Sequence, residues 1–307
     1  MQNQSPEFAP DLSGLNNADW LAEMAAIGED MGFFEPLGKR HWANFIDEGD
    51  TLLVTFETMQ GLRSLSPKAT PLGFDLIRTQ GWSHLGVICD GDTWFRTPQV
   101  YGFFDRMIDD GFFDEFDRIV FYGAGPCGYA AGAYSVASPG ARVLMVQPQA
   151  TLDPRVTEWD DRFTELRRTN FTDRYGYAPD MLDAADAAYV IYDPREDLDA
   201  MHAALFTRAN VTKLRMPHMG DALQSDLLAL DILEPLLRDI ASETGLVETH
   251  FHQLARKRRD YSPYLRNLLS HLEREGRDTL TRMLCTNVVG RMNGPRFRRK
   301  LEQMQGE

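Results

Sequence analysis

The 307-residue sequence has no run of eighteen apolar residues, so nothing in it is long enough to cross a bilayer as a helix. Residues 1–11 (MQNQSPEFAPD) have neither a basic start nor an apolar centre, and no signal peptide is expected. Cysteine is scarce: Cys89, Cys127 and Cys285 form an odd set without metal-ligand spacing. That excludes a disulfide scaffold and points to a reducing, cytoplasmic setting. No Gly-Lys-Ser/Thr sequence closes a glycine-rich turn, which excludes a P-loop. There is no internal repeat. His250 and His252 alternate but lack a third ligand nearby, so neither a metal nor a cofactor is expected.

Acidic residues are plentiful, and the net charge is −14. The excess is uneven. Between Arg256 and Lys300 stand thirteen Lys or Arg and four Asp or Glu, a local +9, which leaves −23 on the rest. Such a tail can recruit a polyanion or dock on an acidic surface. Its apolar helical spacing favours docking, within the chain, on a protein partner or across a homodimer. No nucleic-acid module accompanies Arg256-Lys257-Arg258-Arg259, so nucleic acid is not the expected partner.

Apolar runs at 52–57, 84–89, 118–122, 141–146, 187–192 and 211–216 read as strands, with helical patterns between most of them. Alternation of this kind builds a mostly parallel sheet with helices on both faces. Residues 41–46 read as a helical turn, 73–77 as short extended structure, and 221–244 as one long helix. The expected organisation is an N-terminal arm with helices (1–49), an α/β core (50–245) and a basic helical extension (246–307). In such sheets, binding groups collect beyond the carboxyl ends of the strands. Gly123, Gln147, Asp193 and His218 all fall there.

The centre of the chain is the strand–turn–helix sequence 117–131 (DRIVFYGAGPCGYAA). Gly123-x-Gly125-x-x-Gly128 matches a dinucleotide pattern formally, which keeps a nucleotide-dependent enzyme among the readings. It lies far from the start of the chain, however, and the next strand ends in Gln147 rather than an acid. A sulfonucleotide reductase would also need a pyrophosphate loop and a reactive C-terminal cysteine motif, and neither is present. A nucleophile elbow fits better. It needs small residues two before and two after the nucleophile. With Gly125 in that position these are Gly123 and Cys127. With Cys127 there, they are Gly125 and the bulky Tyr129.

The stretch Tyr122-Gly123-Ala124-Gly125-Pro126-Cys127-Gly128-Tyr129-Ala130-Ala131 resembles the central motif of α/β-hydrolase-like bacterial proteins. These are associated with polysaccharide biosynthesis or accessory secretion. Gln147-Pro148-Gln149, Tyr192-Asp193-Pro194, Asp199 and His202-Ala203 match further pieces, and the resemblance covers about residues 50–240. It implies the α/β-hydrolase fold. It also implies a catalytic serine at the position of Gly125, and a histidine after Gly220, where Asp221 stands. The acid position is retained as Asp193, with Asp199 the second choice.

Two of three triad members are therefore absent, and a triad needs all of them. The expected function is a degenerate, non-hydrolytic protein binding a small molecule, glycan-related or acylated. Gly125, Gln147 and Asp221 would line its cleft. The alternative is an esterase or acyltransferase using Cys127 or a serine, with His218 as base and Asp193 as orienting acid. Asp221 can also be read as a helix N-cap.

Overall fold

The computed structural model describes residues 8–306. Eight strands make one sheet: β1 (Gly32–Pro36), β2 (His41–Ile46), β3 (Thr51–Thr58), β4 (Ser83–Cys89), β5 (Arg118–Ala124), β6 (Arg142–Val146), β7 (Ala187–Tyr192) and β8 (Val211–Arg215). Their order is β1-β2-β4-β3-β5-β6-β7-β8. β2 runs antiparallel to β1 and β4, and β3 to β8 are parallel. With helices on both faces and a helical extension after the last strand, this is the α/β-hydrolase architecture.

Three local expectations are corrected. Residues 41–46 form β2, not a helical turn. Both faces of that strand are covered, and Ala43, Asn44, Phe45 and Ile46 are all buried, so no polar alternation marks it. Residues 73–77 lie in helix α3 (Leu72–Gln80), which ends at Gly81 in the left-handed region. The stretch 221–244 holds two helices, Leu223–Ala229 and Leu233–Ala241, separated around Asp231 at φ 50°. Because β1 and β2 precede residue 50, the segment 1–49 contributes two strands, and a boundary at 50 divides the sheet. The arm at 1–7 lies outside the described residues.

The earlier helices are α1 (Asn17–Met31), α2 (Met59–Leu65), α4 (Pro98–Asp109) and α5 (Pro126–Tyr134). On one face of the sheet, α4 and α5 bury Phe103, Phe104, Ala130 and Tyr134 against Val54, Phe56, Phe121 and Val143. On the other, α3 and the helices at 223–241 bury Leu76, Leu227, Leu236 and Ile240 against Leu53, Val120 and Leu144. The helices after residue 246 have a small core of their own, including Leu265, Leu269, Cys285 and Phe297. They meet the body through Lys257, whose Nζ donates to the carbonyls of Leu230 and Asp231 at 3.0 and 2.8 Å. Tyr261 adds a bond to Asp226 at 2.7 Å. Several of the tail's ion pairs stay inside the extension, such as Arg296 and Lys300 on Glu273.

The chain turns from β5 into α5 in one tight corner. A Cβ on Gly123 would lie 2.0 Å from the Cys127 carbonyl oxygen, so only glycine lets the first helical turn sit on the strand end. At Gly125, φ is 56° and ψ −124°, yet nothing stands within 4 Å of a Cβ built there. The two glycines should respond differently. Gly123→Ala is expected to cost about 3 kcal/mol or more, because backbone must move. Gly125→Ala should cost roughly 1–3 kcal/mol, from dihedral strain alone. Urea unfolding of the two variants checks the order; equal losses would contradict it.

Candidate functional site

The corner holds the elbow conformation without a nucleophile. Gly125 precedes α5, and its N–H donates to the Val146 carbonyl at 2.8 Å. The open space around its Cα faces no side chain of its own. The next residue, Pro126, opens the helix and carries no N–H. In an acyl-transfer elbow, the N–H following the nucleophile is one of the two oxyanion-hole donors. Gly125-Pro126 therefore lacks both the attacking atom and that donor. Residue identity alone carries the second point, which the sequence reading did not draw from Pro126.

Cys127 lies beside the corner, inside the helix. It is buried in the first turn of α5, and burial pushes its thiol well above the usual range, with Cys89 and Glu57 adding to the rise. A thiol held protonated is a poor nucleophile.

The other predicted residues gather elsewhere. Asp193 lies beyond β7, buried, and both its oxygens are taken by backbone. Oδ1 accepts from the Arg195 N–H at 2.9 Å and Oδ2 from the Gly220 N–H at 2.7 Å. His218 is half-buried at φ 68°, with its ring 4.8 Å from that of His271 in the C-terminal extension. Burial and the neighbouring His271 lower its pKa. Asp193, His218 and Asp221 line a pocket of about 560 Å³ against the helix Ser262–Arg274. Cys127 lines a different cleft, and no hydrogen bond joins Cys127 to His218 among the described residues. The alternative set of Cys127, His218 and Asp193 is thus not brought together here; the Asp193 carboxylate binds loop N–H groups. Asp221 is exposed and does not cap the helix, whose N-terminal position is Ala222.

Gln147 and Asp199 are also spent on structure. Gln147 Nε2 donates to Asp199 Oδ2 at 2.7 Å, and its Oε1 accepts from the Leu223 N–H at 3.0 Å. Asp199 accepts from Arg162 at 2.7 Å, and Arg162 also holds Asp160 at 2.8 Å. His202 Nδ1 accepts from the Ala150 N–H, which leaves Nε2 to donate to Asp160 at 2.9 Å. Burial alone would raise the Asp160 pKa, but the bonds from His202 and Arg162 pull it well below the usual carboxylate range. This buried network ties the long β6–β7 connection to the body. Neither Gln147 nor Gly125 lines the cleft as expected.

The cleft beside Cys127, about 620 Å³, opens at the carboxyl ends of β3 and β5. Leu62, Leu65, Leu72 and Leu228 give it apolar walls, and Glu57, Thr58, Gln224 and Cys127 add polar groups. Sequence reading passed over Glu57, the last charge in an otherwise apolar strand run. It is only 9% exposed. Oε1 accepts from the Thr55 hydroxyl at 2.7 Å, and Oε2 from the Leu72 N–H at the start of α3, at 3.2 Å. Thr55 Oγ1 is also 2.8 Å from His84 Nε2. Since Thr55 donates to Glu57, it accepts from His84. Burial pushes the Glu57 carboxyl up to about 7, against the lowering effect of Thr55 and the Leu72 N–H. Burial also drives His84 down to about 3 and keeps it neutral.

No family model matches this sequence, and no curated protein matches it. Solved structures resemble it in shape. An acylaminoacyl peptidase of Pyrococcus horikoshii is 10% identical over 70% of this chain, with a TM-score of 0.46, and this chain spans 42% of it. Est1E of Butyrivibrio proteoclasticus is 13% identical over 68% of this chain and 99% of its own, with a TM-score of 0.42. A Glycosylation Associate Protein (Gap123) complex from Streptococcus agalactiae is 13% identical over 67% of this chain and 45% of that one, with a TM-score of 0.43. The architecture assigned above rests on this chain's own strand order and connections. Among the described residues, no group of three or more His, Cys, Asp or Glu could hold a metal ion, and no helix is long and apolar enough to cross a membrane.

Glu57 makes stability depend on pH in a definite direction. Its folded pKa lies above the ordinary 4.5, so between 4.5 and about 7 the folded state keeps a proton that the unfolded chain has released. Stability from this group is greatest below the unfolded value and declines as pH rises to about 7, by roughly 3 kcal/mol at most. Glu57→Gln removes that decline. Relative to the unsubstituted protein, the variant should be more favourable at about pH 8 than at about pH 5. His41 and His84, lowered by burial to about 4 and about 3, act in the opposite sense as pH falls below 6.5. Denaturant titrations of both proteins at each pH check the difference; a pH-independent difference would refute it.

Proposed function

We propose that this protein binds a ligand and does not hydrolyse it: a degenerate member of the hydrolase architecture whose ligand is glycan-related or acylated. The observation that carries this is the Gly125-Pro126 corner, which lacks both the nucleophilic side chain and the following N–H. Asp193, with both oxygens on backbone N–H groups, supports the same reading. The cleft supports that ligand class: its leucine walls suit an alkyl or acyl chain or the apolar face of a sugar. Thr58, Gln224 and Glu57 suit hydroxyl or amino substituents. The sequence resemblance favours a polysaccharide-biosynthesis setting, and three free, buried cysteines suit a cytoplasmic one. The basic extension is free to offer a surface to a protein partner or to a second copy.

Short p-nitrophenyl esters test the reading. The protein should not raise their hydrolysis above the spontaneous rate, and Gly125→Ser alone should not change that, because Pro126 and the missing base remain. Turnover by the unsubstituted protein that is abolished by Cys127→Ala would overturn it and establish a cysteine esterase or acyltransferase.

A further inference from the structure

The polar end of the cleft at β3 and β5 is more specific than its walls. Glu57 is nine-tenths buried and reaches the cleft with acceptor capacity left on its carboxyl group. Behind the cleft wall the Tyr122 hydroxyl is fully buried beside Gln224, Glu57 and Cys127, so it backs the polar end without lining it. Gln224 lines the same cleft and offers an amide oxygen. Carboxyl and amide oxygens thus meet at one end of the cavity.

The charge of the lining is one-sided. Glu57, Asp75, Asp92 and Asp231 line the cleft, and no Lys, Arg or His does. A carboxylate, phosphate or sulfate entering it would meet like charge, offset at one lining acid, Asp75, by its ion pair with Arg78 outside the lining. An ammonium group would find the reverse: N–H donors facing the Glu57 carboxyl and the Gln224 amide oxygen, under a negative rim.

We propose that this cleft takes a ligand bearing a primary ammonium group, seated against Glu57 with Gln224 as a further acceptor. The carbon body lies along Leu62, Leu65, Leu72 and Leu228. Within the glycan-related and acylated classes above, this selects an amino-substituted one. The inference rests on taking this cleft as the ligand site. It does not depend on whether acyl transfer is lost.

The test is calorimetric titration of the full chain with three probes of one shape: n-hexylammonium, 1-hexanol and hexanoate. None has an ester bond, so the result is independent of any esterase activity. Hexylammonium should bind at least about tenfold more tightly than hexanol, with hexanoate weakest; about tenfold is the scale of one charge-assisted bond. Glu57→Gln should remove most of the advantage of the amine over hexanol. A second readout needs no variant. As pH rises through about 7, Glu57 ionises and the amine should bind more tightly, while hexanol stays flat. The other groups around Glu57 are the neutral His84, the Cys127 thiol and Tyr122 phenol, both pushed up by burial, and the carboxyls of Asp75, Asp92 and Asp231. Equal binding of amine and alcohol overturns the proposal, as does preference for hexanoate, absence of binding by all three, or amine affinity indifferent to both Glu57→Gln and pH. If Glu57 serves only to hold the Leu72 N–H, the variant will change stability and leave the probes untouched. Ester turnover would overturn the non-hydrolytic reading and leave this site standing.

Discussion

The contact between Gly123 and the Cys127 carbonyl sets the geometry of everything at the carboxyl edge of the sheet. With no Cβ on Gly123, the first turn of α5 can fold back over the strand it has just left. That close approach buries α5 from Cys127 to Tyr134 and lets Ala130, Ala131 and Ala133 pack on the sheet. It also forces the chain to reverse within Ala124-Gly125-Pro126. The left-handed φ of Gly125 is thus a consequence of packing. A glycine adopts it without the strain that a serine would carry, and the Gly125 N–H bond to Val146 holds it in place.

Elbow shape and elbow chemistry are therefore separable in this protein. The shape needs small residues and one positive φ. The chemistry needs a side chain at the corner, an N–H just after it, and an imidazole held by a free carboxylate. Every requirement of the first kind is met at Gly123-Ala124-Gly125, while Gly125 has no side chain and Pro126 no N–H for the second. Asp193 is bonded differently from an acid that orients an imidazole. Its bonds to Arg195 and Gly220 link the loops after β7 and β8, so the carboxylate now fixes loop geometry.

How much of this was legible in the sequence depended on whether the deciding contacts were local. The six strands from β3 to β8 stand out as apolar runs, and Gly125 could be read directly from the spacing of its small neighbours. β2 could not, because its burial on both faces comes from β1, β4 and the flanking helices, and erases the alternation that marks a half-exposed strand. Asp221 and Gln147 were given roles by position alone. Side-chain direction decided otherwise, placing Gln147 between Asp199 and Leu223. Glu57 was visible as a charge at the end of a strand, but its environment was not. Its neighbours Thr55, His84, Leu72 and Tyr122 come from three strands and a helix start, and register brings them together.

That register has a further consequence. Thr55 pairs with Gly86 on one side and Tyr122 on the other, and Gly86 pairs in turn with Asn44. Paired residues point to the same face, so Asn44, Thr55 and Tyr122 form a polar row across a sheet that is otherwise apolar, with His84 and Glu57 two residues away on the same face. Asn44, His84 Nδ1 and the Tyr122 hydroxyl keep unused hydrogen-bonding capacity in this row. Such groups are costly in a core and are a poor way to build stability alone. Their arrangement is more economical as support for Glu57: a neutral imidazole and a hydroxyl hold the carboxyl in one rotamer. The apolar surroundings keep it poised between its two charge states. The polar row behind Glu57 explains why this carboxyl stays fixed at the cleft's inner end.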